Sequence, residues 1–267
     1  MAECRPLCAK VALRRYRACF CQLDFSTRNA LGFISVAIAA CHPSLLHAQS
    51  TDLSGTVALS SQLVDRGLAI TPATPIVQGA ASWTSPTGWS LGLSGSAEVR
   101  SPGRIAETLV QGSRYWPLSS DWQMQASLLY YHHAGIAHSM AYDHGEAGVN
   151  WIYRDVLTFG LSAVRIIGAR DQQPRPAADI DFHWPLVEHV SFSAGAGIAH
   201  SPPFRYEYNG HYHYDQGTLY HYGHAGLLWS KGPWRVELDR VLTDLESRHS
   251  RGDMAAAPWL ATISLSF

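Results

Sequence analysis

Apolar and polar residues alternate in about twelve runs of roughly ten residues, near 53–66, 76–84, 88–100, 105–116, 121–132, 143–154, 156–167, 177–186, 189–200, 217–230, 233–243 and 258–267, with 217–230 ambiguous and 105–116 nearly so. A period of two belongs to a strand, and about ten tilted residues are what a strand needs to cross hydrocarbon. No stretch of 18 or more apolar residues offers a helix for the same task. Strands persist in lipid only when the sheet closes on itself, because an open edge leaves N–H and C=O groups without partners. The pattern therefore predicts an all-β fold, a closed antiparallel transmembrane β-barrel of about 12 strands, with 10 or 14 as alternatives.

Several runs are clean. In "VSFSAGAGIA", Val190, Phe192, Ala194, Ala196 and Ile198 oppose Ser191, Ser193, Gly195 and Gly197. In the last run, "PWLATISLSF", Trp259, Ala261, Ile263, Leu265 and Phe267 share one face. This run is expected to close the barrel, and an aromatic such as Phe267 at its end resembles the signal read by the barrel-assembly machinery. Connections alternate between long ("GLAITPATP") and short ("TSPTG", "PLSSD", "RD", "LVEH", "SKGP"), so loops should face one side and tight turns the other. Tryptophan provides an independent check. Eight of the nine, Trp83, Trp89, Trp116, Trp122, Trp151, Trp184, Trp229 and Trp234, sit near short turns, where an aromatic belt would meet the headgroups, and only Trp259 is at the other end.

Residues 1–48 read as a secretory signal with a long basic lead-in (Lys10, Arg14, Arg15, Arg17, Arg28), an apolar "ALGFISVAIAAC" and an exit "HAQS" with cleavage near Ala48. A second reading takes "IAAC" as a lipobox, with Cys41 as a lipidated N-terminus. Either route leads to a bacterial envelope, and residues 49–267 form the expected barrel. The five cysteines (Cys4, Cys8, Cys19, Cys21, Cys41) all precede it, so it holds no disulfide and no Cys-ligated metal. Beyond the leader the chain is mildly acidic, which argues against nucleic acid as a partner. The expected partners are outer-membrane lipid, the barrel-assembly machinery and small solutes, without a cofactor.

With apolar faces toward lipid, the opposite faces put Arg66, Gln78, Glu98, Arg100, Glu146, Asn150, Asp179, Asp181, His183, Arg235, Glu237 and Asp239 in the lumen. About twelve strands spaced ~4.8 Å and tilted ~40° give a backbone radius on the order of 12 Å, leaving a narrow passage between side chains. The acidic excess would favour cations. Two stretches suggest other chemistry. "YEYNGHYHYDQGTLYHYGH" (Tyr206 to His224) carries His211, His213, His221 and His224, a weak candidate for Zn or Cu, against the plainer reading of an amphipathic loop cap. "DIDFHW" sets Asp179, Asp181 and His183 on one face and invites a hydrolase reading, yet no G-x-S-x-G accompanies it.

The opening hairpin, Val57 to Ser96, resembles that of the TorF-type family of porin-like proteins. The residues that carry the likeness are Ser60, Ser61, Arg66, Gly67, Pro75, Gln78 and Gly79, then Gly88 and Trp89 at the next strand opening, while Asp65 and Ala80 depart from the pattern. "LLYYHH" (Leu128 to His133) and "GEAGVNWIYRD" (Gly145 to Asp155) resemble its middle hairpins. The resemblance implies an outer-membrane β-barrel passing small hydrophilic solutes or ions. The alternatives are a phospholipase-like outer-membrane hydrolase and a structural barrel displaying His/Tyr-rich loops.

Overall fold

The computed structural model describes residues 52–100, 104–134, 142–168, 173–202, 204–208, 211–215, 217–245 and 255–267. Residues 1–48, the expected signal segment with Cys4, Cys8, Cys19, Cys21, Cys41 and Ala48, lie outside these residues. In chain order the strands are β1 (Asp52–Ser60), β2 (Val64–Asp65), β3 (Leu68–Ala69), β4 (Ile76–Thr84), β5 (Trp89–Glu98), β6 (Ile105–Pro117), β7 (Trp122–His133), β8 (His144–Tyr153), β9 (Leu157–Ile166), β10 (Arg175–Val187), β11 (Val190–His200), β12 (Phe204–Tyr208), β13 (His211–Asp215), β14 (Leu219–Lys231), β15 (Trp234–Thr243) and β16 (Trp259–Ser266). Among the described residues, twelve of these form one closed antiparallel barrel, each strand pairing with its neighbour in sequence. The remaining four form two small ribbons, β2–β3 and β12–β13.

Closure is made by β1, which pairs with β4 on one side and β16 on the other. Leu59, for example, stands opposite Val77 and Ile263, and Phe267 exchanges backbone hydrogen bonds of 2.8 and 2.9 Å with Gly55. The alternation in each strand sorts side chains by solvent. Leu53, Val57, Leu91, Leu93, Val110, Leu128, Leu161, Leu227 and Leu238 are exposed outward, whereas Ser60, Gln78, Ser90, Ser96, Glu107, Gln125 and Glu146 are buried within. This inversion of the soluble pattern is what lipid outside and water inside require. Trp83, Trp89, Trp184, Trp229 and Trp234 are exposed on the outer face near the turn end, and Trp259 near the loop end, as the aromatic belt predicts.

The short turns are locally specified. Between β8 and β9, Arg154 and Asp155 both take positive φ (47° and 60°), the geometry of a two-residue turn whose twist matches its strands. Arg154 then clamps the neighbouring β6–β7 turn, donating from Nε and Nη2 to the two carboxylate oxygens of Asp121 at 2.9 and 3.1 Å.

The first run departs from expectation. Its strand ends at Ser60 rather than at residue 66, and the chain then turns inward to form β2–β3. The Tyr206–His224 stretch is also only partly loop: β12 and β13 pair as a ribbon, and Leu219 onward is barrel wall.

Two carboxylates outside the spanning strands hook the loop end together. Asp244 is held below the usual carboxylate range by the His221 ring, whose Nδ1 donates at 2.5 Å, and by the His221 amide at 2.6 Å. Burial pushes Asp143 upward, but the His133 amide and the His132 ring, each at 2.8 Å, outweigh it and leave its pKa lowered. A folded pKa below the unfolded value means that this stabilisation is complete above about pH 4 and is lost as pH falls through the folded values. Carboxyl ¹³C titration of the refolded protein should give both residues midpoints below that of a free aspartate. Midpoints at or above it would contradict the hooks.

Candidate functional site

The inserted ribbon is built around a two-residue turn. Asp65 pairs with Leu68, and between them Arg66 and Gly67 take φ of 48° and 76°. Gly67 adopts this geometry freely, whereas an arginine there carries a cost of roughly 1–2 kcal/mol. Tertiary contacts offset it. Arg66 Nη2 donates to Glu146 Oε1 at 2.7 Å and to Ser162 Oγ at 2.9 Å. Glu146 and Ser162 belong to β8 and β9, on the far side of the ring from β1 and β4, which carry the ribbon. The loop therefore crosses the lumen, and its tip is tied to the opposite wall. Both side chains of the pair are buried (7% and 4% exposed), where Coulomb attraction is weakly screened.

Two apolar feet hold the rest of the loop. Leu63 packs with Ile70, Ile76 and Ala106 beside its origin, and Leu68 packs with Ala177, Ala199, Tyr220 and Leu245. Gln62 fixes the base, donating to Thr71 O at 2.8 Å and accepting from the Ala257 amide at 2.8 Å. The Ala256 amide reaches Gly67 O at 3.1 Å, so the segment before β16 also braces the ribbon.

The ribbon divides the interior. A cavity of about 770 Å³ runs from Asp52, Gly232 and Phe267 at the turn end up to Val64, Arg66 and Gly67. A second, of about 80 Å³, lies on the loop side among Asp65, Leu68, Ile70, His133, His144 and Tyr220. Among the described residues that line either cavity, Arg66 is the one common to both.

Of the twelve residues expected in the lumen, Arg66, Gln78, Glu146, Asn150, Asp179, Asp181, Arg235, Glu237 and Asp239 line the larger cavity. Glu98, His183 and Arg100 do not. Glu98 ends β5 level with Ile76 at the loop-end rim. His183 keeps the inward alternation but lies two residues closer to the short turn than Asp181, opposite Ser193. Arg100 lies beyond β5 in an exposed turn, because the strand stops at Glu98; its expected lumenal place is corrected accordingly.

Six carboxylates line the larger cavity (Asp52, Glu146, Asp179, Asp181, Glu237, Asp239) against two arginines. Arg66 is committed to Glu146, and Arg235 contacts Glu237 at 3.3 Å. Glycines on the neighbouring strands let the aspartates lie against the wall. A Cβ at Gly160 would collide with the Asp179 carboxylate and one at Gly195 with that of Asp181. The result is an acidic lining with space left in front of it.

The other sequence candidates separate. His221 and His224 are three apart on one strand and so face opposite ways: His221 pairs with Asp244 at the exposed rim, while His224 lines the cavity, 4.0 Å from Asp181. The side chains of His211 and His213 lie outside the described residues. No group of three metal-ligating side chains occurs among those described, and the two described candidates, His221 and His224, point away from one another. For the hydrolase reading, Ser193 stands opposite His183, but its hydroxyl donates to Asp239 at 3.4 Å. Sequence reasoning missed the ribbon itself, Ser162, and a buried pair, His133 Nε2 with Glu107 Oε2 at 2.9 Å. The Arg-Gly dipeptide between Leu63-Val64 and Leu68-Ala69 was the signal for the first.

The fold and its interior define a transmembrane β-barrel with a polar lumen partitioned by one of its own loops. No protein-family model matches the sequence, and no curated protein sequence matches it. Among solved structures, the chain is similar to the NanC porin (12% identity, 81% of this chain and 99% of that one, TM-score 0.49). It is also similar to the KdgM porin (8%, 80% and 98%, TM-score 0.48) and to OprD from Pseudomonas aeruginosa (11%, 80% and 65%, TM-score 0.36).

Replacing Arg66 by Ala should join the two cavities and raise single-channel conductance, with a stability loss of about 1–3 kcal/mol from removing its buried bonds to Glu146 and Ser162. Glu146→Gln should give a smaller change in the same direction. Wild-type conductance in both variants, with folding confirmed by heat-modifiable migration, would show that the tip does not limit passage.

Proposed function

We propose that this barrel is a porin-like channel of the bacterial outer membrane that passes small hydrophilic solutes or ions. The observation that carries the reading is the interior itself: a polar cavity of about 770 Å³ reaching from the turn end to the inserted ribbon, whose Arg66 also lines a second cavity on the far side. A barrel filled for strength alone would close that space with side chains. Here the glycines opposite Asp179 and Asp181 keep it open.

The same reading assigns the chain to the TorF-type family on the strength of its opening hairpin. Arg66 and Gly67, which carry part of that likeness, form the tip of the ribbon. In biogenesis, Phe267 is the residue we assign to recognition by the barrel-assembly machinery. The loop end faces the exterior and the turn end the periplasm, as in barrels whose short connections are periplasmic.

Passage through an acidic lumen favours cations, because fixed carboxylates lower the energy of a counter-ion in a narrow, weakly screened space. In planar bilayers under a KCl gradient, the reversal potential of the refolded protein should report cation preference, and Asp179→Asn with Glu237→Gln should move it toward zero. Discrete steps with no such shift would remove these residues from the pathway. A silent bilayer with a folded barrel would sink the channel reading.

A further inference from the structure

The lipid-facing side of the barrel carries one cation in an unusual setting. Arg114 lies on the outer face of β6, three residues before the strand ends at the short turn. Its guanidinium carbon sits 5.1 Å from the ring of Trp89, its register partner on β5, and 5.1 Å from the ring of Trp116 on its own strand. Arg154, at the same turn end, has Asp121 as its carboxylate partner, and Arg240 at the loop end lies over a single indole, that of Trp259, at 5.5 Å. Among the described residues no carboxylate pairs with Arg114, and its Nε is shielded without a hydrogen-bond partner. Two indole faces orient the guanidinium and limit its freedom to swing away, but they satisfy none of its N–H donors.

The surface toward the membrane centre from Arg114 has a matching shape. The next outward residue of β6 is Gly112, which stands level with Leu91 on one side and Leu128 on the other. Both leucines are exposed. Beside Arg114 on β7 is a second small residue, Ala126. A shallow slot, floored by Gly112 and walled by two leucines, thus leads from an unpaired cation toward the hydrocarbon. An anionic group at Arg114 with an acyl chain in this slot complements both parts.

We propose that Arg114, clasped by Trp89 and Trp116, binds the phosphate of a glycerophospholipid whose acyl chain lies over Gly112. The proposal rests on the barrel crossing a membrane, with the turn end at the phospholipid leaflet. It does not depend on whether the lumen conducts. The requirement for a fixed donor is electrostatic: a guanidinium offers paired N–H groups to phosphate oxygens, and in this interfacial zone the attraction is weakly screened.

The test is native mass spectrometry of the full chain, refolded in neutral detergent with phosphatidylglycerol and released gently from the micelle. Wild type should retain one phosphatidylglycerol per barrel, and Arg114→Gln should retain roughly tenfold less. Arg154→Gln, which removes a cation already paired within the protein, should retain as much as wild type. Gly112→Leu fills the slot and leaves the clasp intact, so it should lower phosphatidylglycerol retention while leaving Trp fluorescence unresponsive to inorganic phosphate, as in wild type. Equal retention by wild type, Arg114→Gln and Gly112→Leu would overturn the proposal. So would a fluorescence response to inorganic phosphate that equals the response to phosphatidylglycerol, since the site would then be one for free anions. If Arg114→Gln fails to show heat-modifiable folding, Gly112→Leu decides alone. Failure of wild type itself to fold in detergent or lipid would instead defeat the membrane reading, and the two failures are told apart on the same gel.

Discussion

The pairing of β1 with β16 is the constraint on which the rest of this molecule depends. In hydrocarbon an unpaired backbone amide or carbonyl costs several kcal/mol, and an open sheet would expose a full row of both. Closure removes both edges at once. It also forces the division of each strand into a lipid-facing and a water-facing half, so that leucine and valine go out and serine, glutamine and carboxylates go in. A ring of twelve strands leaves an interior wider than its wall side chains fill, and the chain uses that width twice, for the cavity and for the loop that crosses it.

The crossing is stable because its polar tip and apolar base are satisfied by different parts of the wall. Leu63 and Leu68 bury their side chains at the loop end, where the packing is dry, while Arg66 projects to Glu146 and Ser162 across the lumen. The arginine is held at a positive φ that its Cβ disfavours. The ion pair and the strained turn therefore oppose one another, and the pair prevails because both its members are shielded from water. Both bonds leave from a single nitrogen, Nη2, whose two N–H groups diverge to a carboxylate and a hydroxyl.

The barrel was legible in the sequence because a period of two sustained over ten residues, and repeated about twelve times, fits a membrane-crossing strand and little else, and the tryptophans marked one rim independently. Strand limits were read to within a few residues wherever a turn signal bounded them, as at Trp122–His133 or Val190–His200. The ribbon was passed over although the alternation of β1 breaks at Ser60–Gln62 and again at Leu63–Val64, and Arg66-Gly67 marks a turn; a strand drawn through to residue 66 ignored both signals. Arg100 was misplaced for a different reason: alternation runs on past Glu98, where hydrogen bonding stops. The lumenal positions of Asp179, Asp181 and Glu237 followed from strand phase alone. The tie between Arg66 and Glu146 joins residues eighty apart in the chain and on opposite walls, and nothing local encodes it.

The central claim is that the Arg66–Gly67 tip lies folded inside the barrel instead of extending β1 beyond its rim, and a cross-link tests it directly. A Cβ built on Gly67 stands 3.4 Å from Cβ of Thr243, close to the separation a disulfide spans, and residues 49–267 hold no cysteine of their own. Gly67→Cys with Thr243→Cys in the refolded barrel should therefore oxidise, at the cost of a Cβ held at positive φ and 3.0 Å from Tyr222 Cβ, leave the barrel folded, and hold conductance at the wild-type level. Failure to cross-link in a folded barrel, or a conductance in the oxidised state well below that of the reduced one, would place the resting position of the loop elsewhere and contradict the account.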